Sequence, residues 1–465
     1  MSNNEFYDEE YVEAEGYEEE IQEDAPCDVV LCYDRETLQP VIIPEDDRFL
    51  NMLIMGPTGT GKSSQVFTPL IYQDLINGSC GITVIDPKED LAESIYAVAS
   101  QFDRHILYVD PGDENCPRLN PFDGPEDVVT KNMLKIFSPS FMITSNEEKR
   151  DMDMCRNLIT KSIKLLKELP DIVGNNLNIV TFNDFISNRY NESRLKLGKT
   201  IEQLRVNRLN MELTEICEWF LYEYFEPTKD VYDRCAVVRI KVDEMASNKY
   251  LKRVMTPSNN SNIEKIDFNK HLLNKDIVIM NTKNTILGPL GKTFGEFIML
   301  EFLNATFRRK HYAKECGHVG PVPPHFLYID EFATYSPVLT DMFTQGRSFR
   351  VGTHIAVQNR ALLQMCGEED TSAQSLLIES NARNLVLFPG LNGADAAYYS
   401  AQFYNLKPEE ICYRPFGQIC YRVIKNKSIS RPGVGLVFFI DQQPNTSSIK
   451  LEQQYKATGK QFKKI

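Results

Sequence analysis

Apolar and polar positions alternate in blocks along most of the chain. Short apolar runs at 51–55, 81–85 and 105–109 each end in a polar or glycine-containing turn, and residues 64–75 show helical spacing of apolar side chains. Strands that alternate with helices in this way are typical of a parallel sheet covered by helices. Ligands bind such sheets beyond the carboxyl ends of the strands. The polar turns at those ends are therefore the candidate functional positions.

The pattern changes between about 140 and 255. Apolar positions there recur at helical spacing and no convincing strand is visible, which predicts an all-helical insertion. Strand-like runs resume afterwards, and we predict six of them: 277–280, 326–329, 354–357, 385–388, 419–423 and 436–440. The predicted fold class is α/β, a mostly parallel sheet flanked by helices, with an inserted all-α domain.

Composition separates the two ends from the body of the chain. Residues 1–24 carry eleven carboxylates and no Lys or Arg, so without them the formal net charge of −14 falls to −3 and a nucleic-acid partner stays possible. We predict five segments: an acidic disordered tail (1–26), the first part of the α/β domain (27–139), the all-α insertion (140–258), the second part of the α/β domain (259–445) and a polar, basic tail (446–465).

The overall composition is that of a soluble globular protein, with 42% hydrophobic and 25% charged residues. Its eleven cysteines include no CxxC pair, which favours reduced thiols in an intracellular protein. No stretch approaches the roughly 18 apolar residues of a transmembrane helix, and no secretory signal is visible. We expect a cytoplasmic chain without a transmembrane segment.

The strongest chemical signal is residues 56–63, which match the pattern GxxxxGK[ST] between a predicted strand and a predicted helix. Glycines let such a turn point backbone N–H groups at phosphate oxygens, Lys62 would reach the β- and γ-phosphates, and Ser63 would hold Mg²⁺. The run 288–293 looks similar but has isoleucine where the first glycine belongs, so we interpret it as a turn and helix start. ATP and Mg²⁺ are the expected ligands. The predicted nucleotide-binding residues are Gly56, Pro57, Thr58, Gly59, Thr60, Gly61, Lys62, Ser63 and Ser64.

A phosphate-binding loop of this kind needs a carboxylate at the end of a neighbouring strand. The apolar run at 326–329 delivers Asp330 and Glu331 at its carboxyl end. Asp330 would bind Mg²⁺ or its waters, and Glu331 would orient and deprotonate the attacking water as general base.

Three further polar residues have two interpretations each. Arg347 could supply positive charge to the γ-phosphate as an arginine finger, or it could be an ordinary surface residue. Gln358 ends the next strand, where a γ-phosphate sensor would lie, and Lys88 ends the second strand. A structural role is an equal alternative for both.

The motifs together resemble those of the TraG/TraD-type conjugative coupling proteins, the DNA-pumping ATPases of type IV secretion systems. The resemblance extends over most of residues 49–440. It is carried by GPTGTGKS at 56–63, VIDPK at 84–88, LNPFD at 119–123, LYIDEFA at 327–333 and GRSFRVGTHIAVQ at 346–358.

This resemblance implies a RecA-like P-loop motor that works as a homo-hexameric ring, with a helical domain after the third strand. By the same resemblance, Lys62 and Ser63 match the Walker A positions, and Asp330 and Glu331 match the Walker B pair. Arg347 matches an arginine that reaches into the neighbouring subunit's site. Gln358 matches the polar residue at the end of the sensor strand.

The implied function is ATP-driven recruitment and pumping of single-stranded DNA, with its bound relaxase, to the transfer channel. An alternative is a nucleotide-gated docking receptor for the relaxosome or for protein substrates, with little motor activity. A double-stranded DNA motor shares the core motifs, although the helical insertion argues against it. Candidate DNA contacts are two basic clusters for which a solvated helix face is the simpler explanation: Lys249, Lys252 and Arg253, and Arg308, Arg309 and Lys310.

One departure concerns membrane attachment. Family members usually begin with transmembrane helices, whereas this chain begins with an acidic segment. We therefore expect a soluble member without the N-terminal anchor. It would lie at the cytoplasmic face of the membrane through a separate membrane-anchored adaptor and contact the secretion channel there.

Overall fold

The computed structural model describes residues 25–137, 145–187, 192–207, 210–335, 340–364 and 371–438. The predicted acidic tail, apart from residues 25 and 26, and the predicted C-terminal tail lie outside these ranges.

An eleven-stranded sheet forms the centre of the molecule, in the order β2-β1-β13-β10-β9-β3-β8-β7-β4-β6-β5. Its strands are β1 (Val29–Asp34), β2 (Pro40–Ile43), β3 (Met52–Met55), β4 (Gly81–Asp86), β5 (Ile106–Val109), β6 (Ile277–Asn281), β7 (His325–Ile329), β8 (Val351–Val357), β9 (Asn384–Leu387), β10 (Gln418–Arg422) and β13 (Gly433–Leu436). The seven strands from β9 to β5 run parallel, and β10, β13, β1 and β2 extend the sheet as antiparallel strands. A short hairpin, β11 (Ile424–Lys425) and β12 (Ser428–Ile429), follows β10.

Helices cover the sheet, and every regular element described between β5 and β6 is helical. The α-helices are α1 (Glu45–Arg48), α2 (Thr68–Asn77), α3 (Asp90–Ala99), α4 (Glu126–Phe137), α5 (Asn146–Glu168), α6 (Ile179–Ser187), α7 (Glu192–Asn207), α8 (Met211–Trp219), α9 (Val231–Arg234), α10 (Ala236–Ser247), α11 (Lys249–Val254), α12 (Phe268–Leu273), α13 (Asn284–Leu287), α14 (Pro289–Glu315), α15 (Thr340–Gln345), α16 (Arg360–Gln364), α17 (Thr371–Asn381), α18 (Gly393–Ser400) and α19 (Pro408–Cys412). Among the described residues, no helix is both long and apolar enough to span a membrane.

The α/β class and the helical insertion are confirmed, whereas two details of the strand prediction are wrong. The predicted alternation begins near residue 49 and misses β1 and β2. The final strand, predicted at 436–440, is Gly433–Leu436. A Cβ on Gly435 would lie 2.3 Å from the Cys32 Sγ atom, so glycine lets β13 pass between β1 and β10. The proposed domain boundaries stay predictions.

One continuous apolar core joins the sheet to the helical insertion. Buried side chains of Leu107 and Val109 on β5 belong to the same cluster as Leu158 on α5 and Phe182 on α6. The rings of Phe122 and Phe182 lie 4.9 Å apart between centroids, which links the chain after β5 to α6. The insertion therefore shares an apolar core with one face of the sheet rather than standing apart from it.

A buried ion pair fixes α2 on the opposite face. The Arg48 guanidinium makes two bonds to the Asp74 carboxylate, at 2.6 and 2.8 Å, and a third to the Tyr328 hydroxyl at 2.9 Å. Tyr328 in turn donates to Asp74 at 2.6 Å. Because both charges are excluded from water, each depends on the other for compensation.

Asp74→Asn is expected to lower the free energy of unfolding by about 3–5 kcal/mol, because it leaves the Arg48 charge buried without a counter-charge. Urea denaturation of the full chain measures this loss. The matched control is Asp46→Asn on α1, where the side chain is exposed, and a change below about 0.5 kcal/mol is expected. Equal stability of the two variants would contradict the role assigned to the ion pair.

Candidate active site

The GxxxxGK[ST] loop begins directly at the carboxyl end of β3, whose four residues are all buried. Lys62 folds back over the loop and donates to the carbonyl oxygens of Gly56 at 2.7 Å and Pro57 at 3.0 Å. Burial lowers the pKa of Lys62, and the nearby carboxylates of Asp330 and Glu331 partly offset this effect. The loop thus holds the Lys62 ammonium against two of its own backbone carbonyl groups.

Glycine is required inside the loop. Gly61 has a φ of +97°, and a Cβ there would lie 2.3 Å from the side-chain nitrogen Nε2 of Gln65. Only glycine adopts such backbone without steric cost. The helix that follows opens with one π-helical turn, Ser63–Phe67, before α2 begins at Thr68. Such turns occur frequently at functional sites.

Asp330 meets the loop from the end of β7. Its Oδ2 atom accepts a hydrogen bond of 2.6 Å from the Ser63 hydroxyl, and its side chain is buried. The two residues come from strands that are not neighbours, because β8 lies between β3 and β7. The prediction that the acidic pair ends a neighbouring strand is therefore wrong by one strand, although the carboxylate still reaches Ser63.

Glu331 has left-handed backbone, with a φ of +47°. A non-glycine residue in this region costs roughly 1–2 kcal/mol, and strain of this kind concentrates at functional sites. Its amide donates to the Asp330 carboxylate at 2.9 Å. The Glu331 carboxylate accepts a bond of 3.1 Å from the Gln358 amide and contacts the Lys88 ammonium. Gln358 and Lys88 thus meet the same carboxylate.

The position of Lys88 is set by the turn after β4. Asp86 accepts hydrogen bonds from the backbone amides of Lys88 at 2.8 Å and Ala92 at 2.9 Å. Burial raises the pKa of Asp86 to about 6, although these amides oppose the shift.

Sequence reasoning missed a further ion pair at the same edge, Lys283 with Asp110 at 2.9 Å. The sequence holds a signal for this pair, because Asp110 and Lys283 each follow a predicted strand, after the runs at 105–109 and 277–280.

Arg347 lies elsewhere. It is exposed in the short 3-10 helix Gly346–Phe349, immediately before the amino end of β8. Since β8 has seven residues at about 3.3 Å each, its two ends are about 20 Å apart. The structure therefore does not bring Arg347 to the loop of its own chain, whereas Gln358 at the other end of β8 does reach the site.

The candidate DNA contacts also separate in the structure. Arg309 is fully buried and donates to the carbonyl oxygens of Leu272 at 2.5 Å and Phe349 at 3.1 Å. Burial lowers the pKa of Arg309 to about 9. Its interpretation as a DNA contact is wrong. Arg253 is half-buried and donates to the Gly112 carbonyl at 3.2 Å, and no observation tests the other candidates.

The sequence of this chain matches a known protein family. The model of the type IV secretory system conjugative DNA transfer family matches residues 42–403, which is most of the chain. The chain belongs to the conjugative DNA transfer family. No curated protein sequence is significantly similar to it.

Solved structures share the fold of this family member. An unbound form of the bacterial conjugative coupling protein TrwBdeltaN70 is 16% identical, with a TM-score of 0.59 over 87% of this chain and 89% of that one. The coupling protein TrwB in complex with ADP and Mg²⁺ is 16% identical, with a TM-score of 0.59 over 86% and 89%. VirB4 of Thermoanaerobacter pseudethanolicus is 14% identical, with a TM-score of 0.55 over 90% and 96%. The predicted RecA-like P-loop fold is thereby confirmed.

Proposed function

We propose that this family member hydrolyses ATP at the site formed by the loop and the ends of β7 and β8. The observation that carries the proposal is the convergence of Lys62, the Ser63–Asp330 pair and the Glu331 carboxylate at one sheet edge. Lys62 would contact the β- and γ-phosphates. Glu331 would take a proton from water as the water oxygen attacks the terminal phosphorus, and the bond to the bridging oxygen breaks to release ADP.

The same residues suit Mg²⁺. The Ser63 hydroxyl and the Asp330 carboxylate offer two oxygen atoms 2.6 Å apart, and oxygen is the donor that Mg²⁺ prefers. When bound, the ion would neutralise negative charge on the phosphates. The similar fold of TrwB, solved with ADP and Mg²⁺, supports this assignment.

We further propose that turnover drives single-stranded DNA, with its bound relaxase, toward a conjugative secretion channel. Family membership supports this role. The active form would be a homo-hexamer, as the family resemblance implies. The position of Arg347 before the amino end of β8, away from its own loop, suits a residue that acts on a neighbouring subunit. Contact with the membrane and the channel would depend on a separate membrane-anchored adaptor at the cytoplasmic face.

The experiment is a steady-state ATPase assay with and without single-stranded DNA, across a series of protein concentrations. Glu331→Gln is the blank, because the amide cannot accept the proton from water. We expect DNA to stimulate turnover, and we expect the stimulation to rise cooperatively with protein concentration as neighbouring subunits complete one another's sites.

A flat activity at the level of Glu331→Gln, with nucleotide binding retained, would contradict the motor. It would instead favour the docking receptor, in which bound nucleotide controls recruitment of the relaxosome or of protein substrates. Stimulation by double-stranded but not single-stranded DNA would contradict the proposed substrate while leaving the ATPase assignment intact.

A further inference from the structure

The side chains that would handle a nucleotide are each paired with another group of the protein. Lys62 donates to two loop carbonyls, and Ser63 donates to Asp330. Glu331 is held by both Lys88 and Gln358. Since these groups already have partners, a nucleotide that binds here must exchange some of them.

Lys88 is suited to such an exchange. Its side chain keeps 45% of its surface exposed, against 18% for Glu331. Ion pairs with this exposure contribute little net free energy, because water competes for both charges. Contact with Glu331 nevertheless raises the pKa of Lys88 against the opposing effect of burial, so the ammonium form is maintained.

Lys88 also lies close enough to Lys62 for their charges to interact. After burial, the positive charge of Lys88 is among the causes that lower the pKa of Lys62, so the two ammonium groups repel each other. Two neighbouring cations attract a polyanion. The backbone of Lys88 is fixed by its bond to Asp86, which leaves the long side chain as the part that can move.

We propose that Lys88 exchanges Glu331 for the terminal phosphate of a bound nucleoside triphosphate. Without that phosphate, the Lys88 ammonium covers the carboxylate that must accept a proton, so Glu331 is less accessible to an attacking water. The terminal phosphate carries more negative charge than one carboxylate and draws the ammonium away, which frees Glu331. A diphosphate lacks this group and leaves the pair intact.

This inference rests on the proposed ATPase function and adds the regulation of its general base. Lys88 would report the presence of the terminal phosphate to Glu331, so that the base is released only when there is a bond to cleave. Gln358 would keep its neutral contact with Glu331 and hold the carboxylate in place during the exchange.

The test compares the affinities for a non-hydrolysable ATP analogue and for ADP, measured by isothermal titration calorimetry on the full chain. Lys88→Met is expected to weaken binding of the analogue about tenfold, the value of one charge-assisted hydrogen bond. Binding of ADP is expected to change less than about twofold, because ADP lacks the terminal phosphate and makes no contact with Lys88 in the wild-type protein. The ADP measurement also shows that the variant is folded.

A second background separates direct contact from charge neutralisation. In Glu331→Gln the carboxylate charge is absent, so any effect of Lys88→Met must come from Lys88 itself. We expect the loss of about tenfold for the analogue to persist there. Lys283→Met is the matched control, since Lys283 follows β6 at the same edge but is bonded to Asp110 at 2.9 Å. Its preference for the analogue is expected to be unchanged.

An unchanged preference in Lys88→Met would overturn the exchange, and so would a loss that disappears in the Glu331→Gln background. An equal loss in Lys283→Met would assign the effect to the general charge of the edge and would also overturn it. A wild-type chain that binds neither nucleotide would instead refute the proposed ATPase function.

Discussion

Lys62→Ala is expected to remove most of the ATP turnover. The Lys62 ammonium lies over the carbonyl oxygens of Gly56 and Pro57, where a bound nucleotide would place its phosphates. Without this ammonium group, the negative charge that develops on the terminal phosphate during the reaction is no longer neutralised by Lys62. Removal of one such donor costs a factor of about 10² to 10³ in turnover. A steady-state ATPase assay with saturating nucleotide measures the loss.

The chain contains a matched control for this change. Lys292 stands in the near-match at 288–293, is followed by threonine, and lies at the start of α14. It is half exposed, with Glu296 at 3.8 Å. Lys292→Ala is expected to leave turnover within about twofold of wild type, as for a surface substitution. Comparable activity of the Lys62 and Lys292 variants would refute the assignment of the loop.

Arg347→Ala is expected to bind nucleotide normally and to lose turnover by a factor of about 10³, the lower end of the range for arginine fingers. The reason is its location before the amino end of β8, at the opposite edge of the sheet from the loop of its own chain, which keeps it away from the nucleotide bound there. Its charge would matter only where a neighbouring subunit presents a terminal phosphate. Binding affinity and turnover, measured on the same protein, separate the two effects.

Mixing subunits gives the sharper test of Arg347. A Lys62→Ala subunit keeps its arginine, and an Arg347→Ala subunit keeps its loop, so a mixed ring contains complete sites. We expect the mixture to recover part of the wild-type turnover although each variant alone is inactive. Arg156→Ala, which changes an exposed arginine on α5, serves as the control and is expected to stay active. No recovery in the mixture counts against an arginine that acts between subunits.

The loop and the acidic pair could be read from the sequence because their chemistry lies in contiguous residues. An apolar run followed by 56–63 already specifies a strand, a turn and a helix start, and local sterics decide that geometry. Asp330 and Glu331 follow a strand directly, so the shared edge of a parallel sheet predicts their side.

The contacts of Lys88 were not predictable in the same way. Lys88, Glu331 and Gln358 meet only because β4, β7 and β8 are neighbours, and strand order is not written in any local pattern. The burial of Arg309 was missed for a related reason. Its basic run is typical of a solvated helix, yet this guanidinium satisfies carbonyl groups of two distant segments.

The shared apolar core has a mechanical consequence. Side chains of the helical insertion and of β5 belong to one close-packed cluster that also includes Ile329 and Phe332, on either side of the acidic pair. Close-packed interiors have low compressibility and transmit strain. A displacement of the carboxyl end of β7 would therefore move the packed helices of the insertion with it, so that a small change beside the phosphates reaches the insertion.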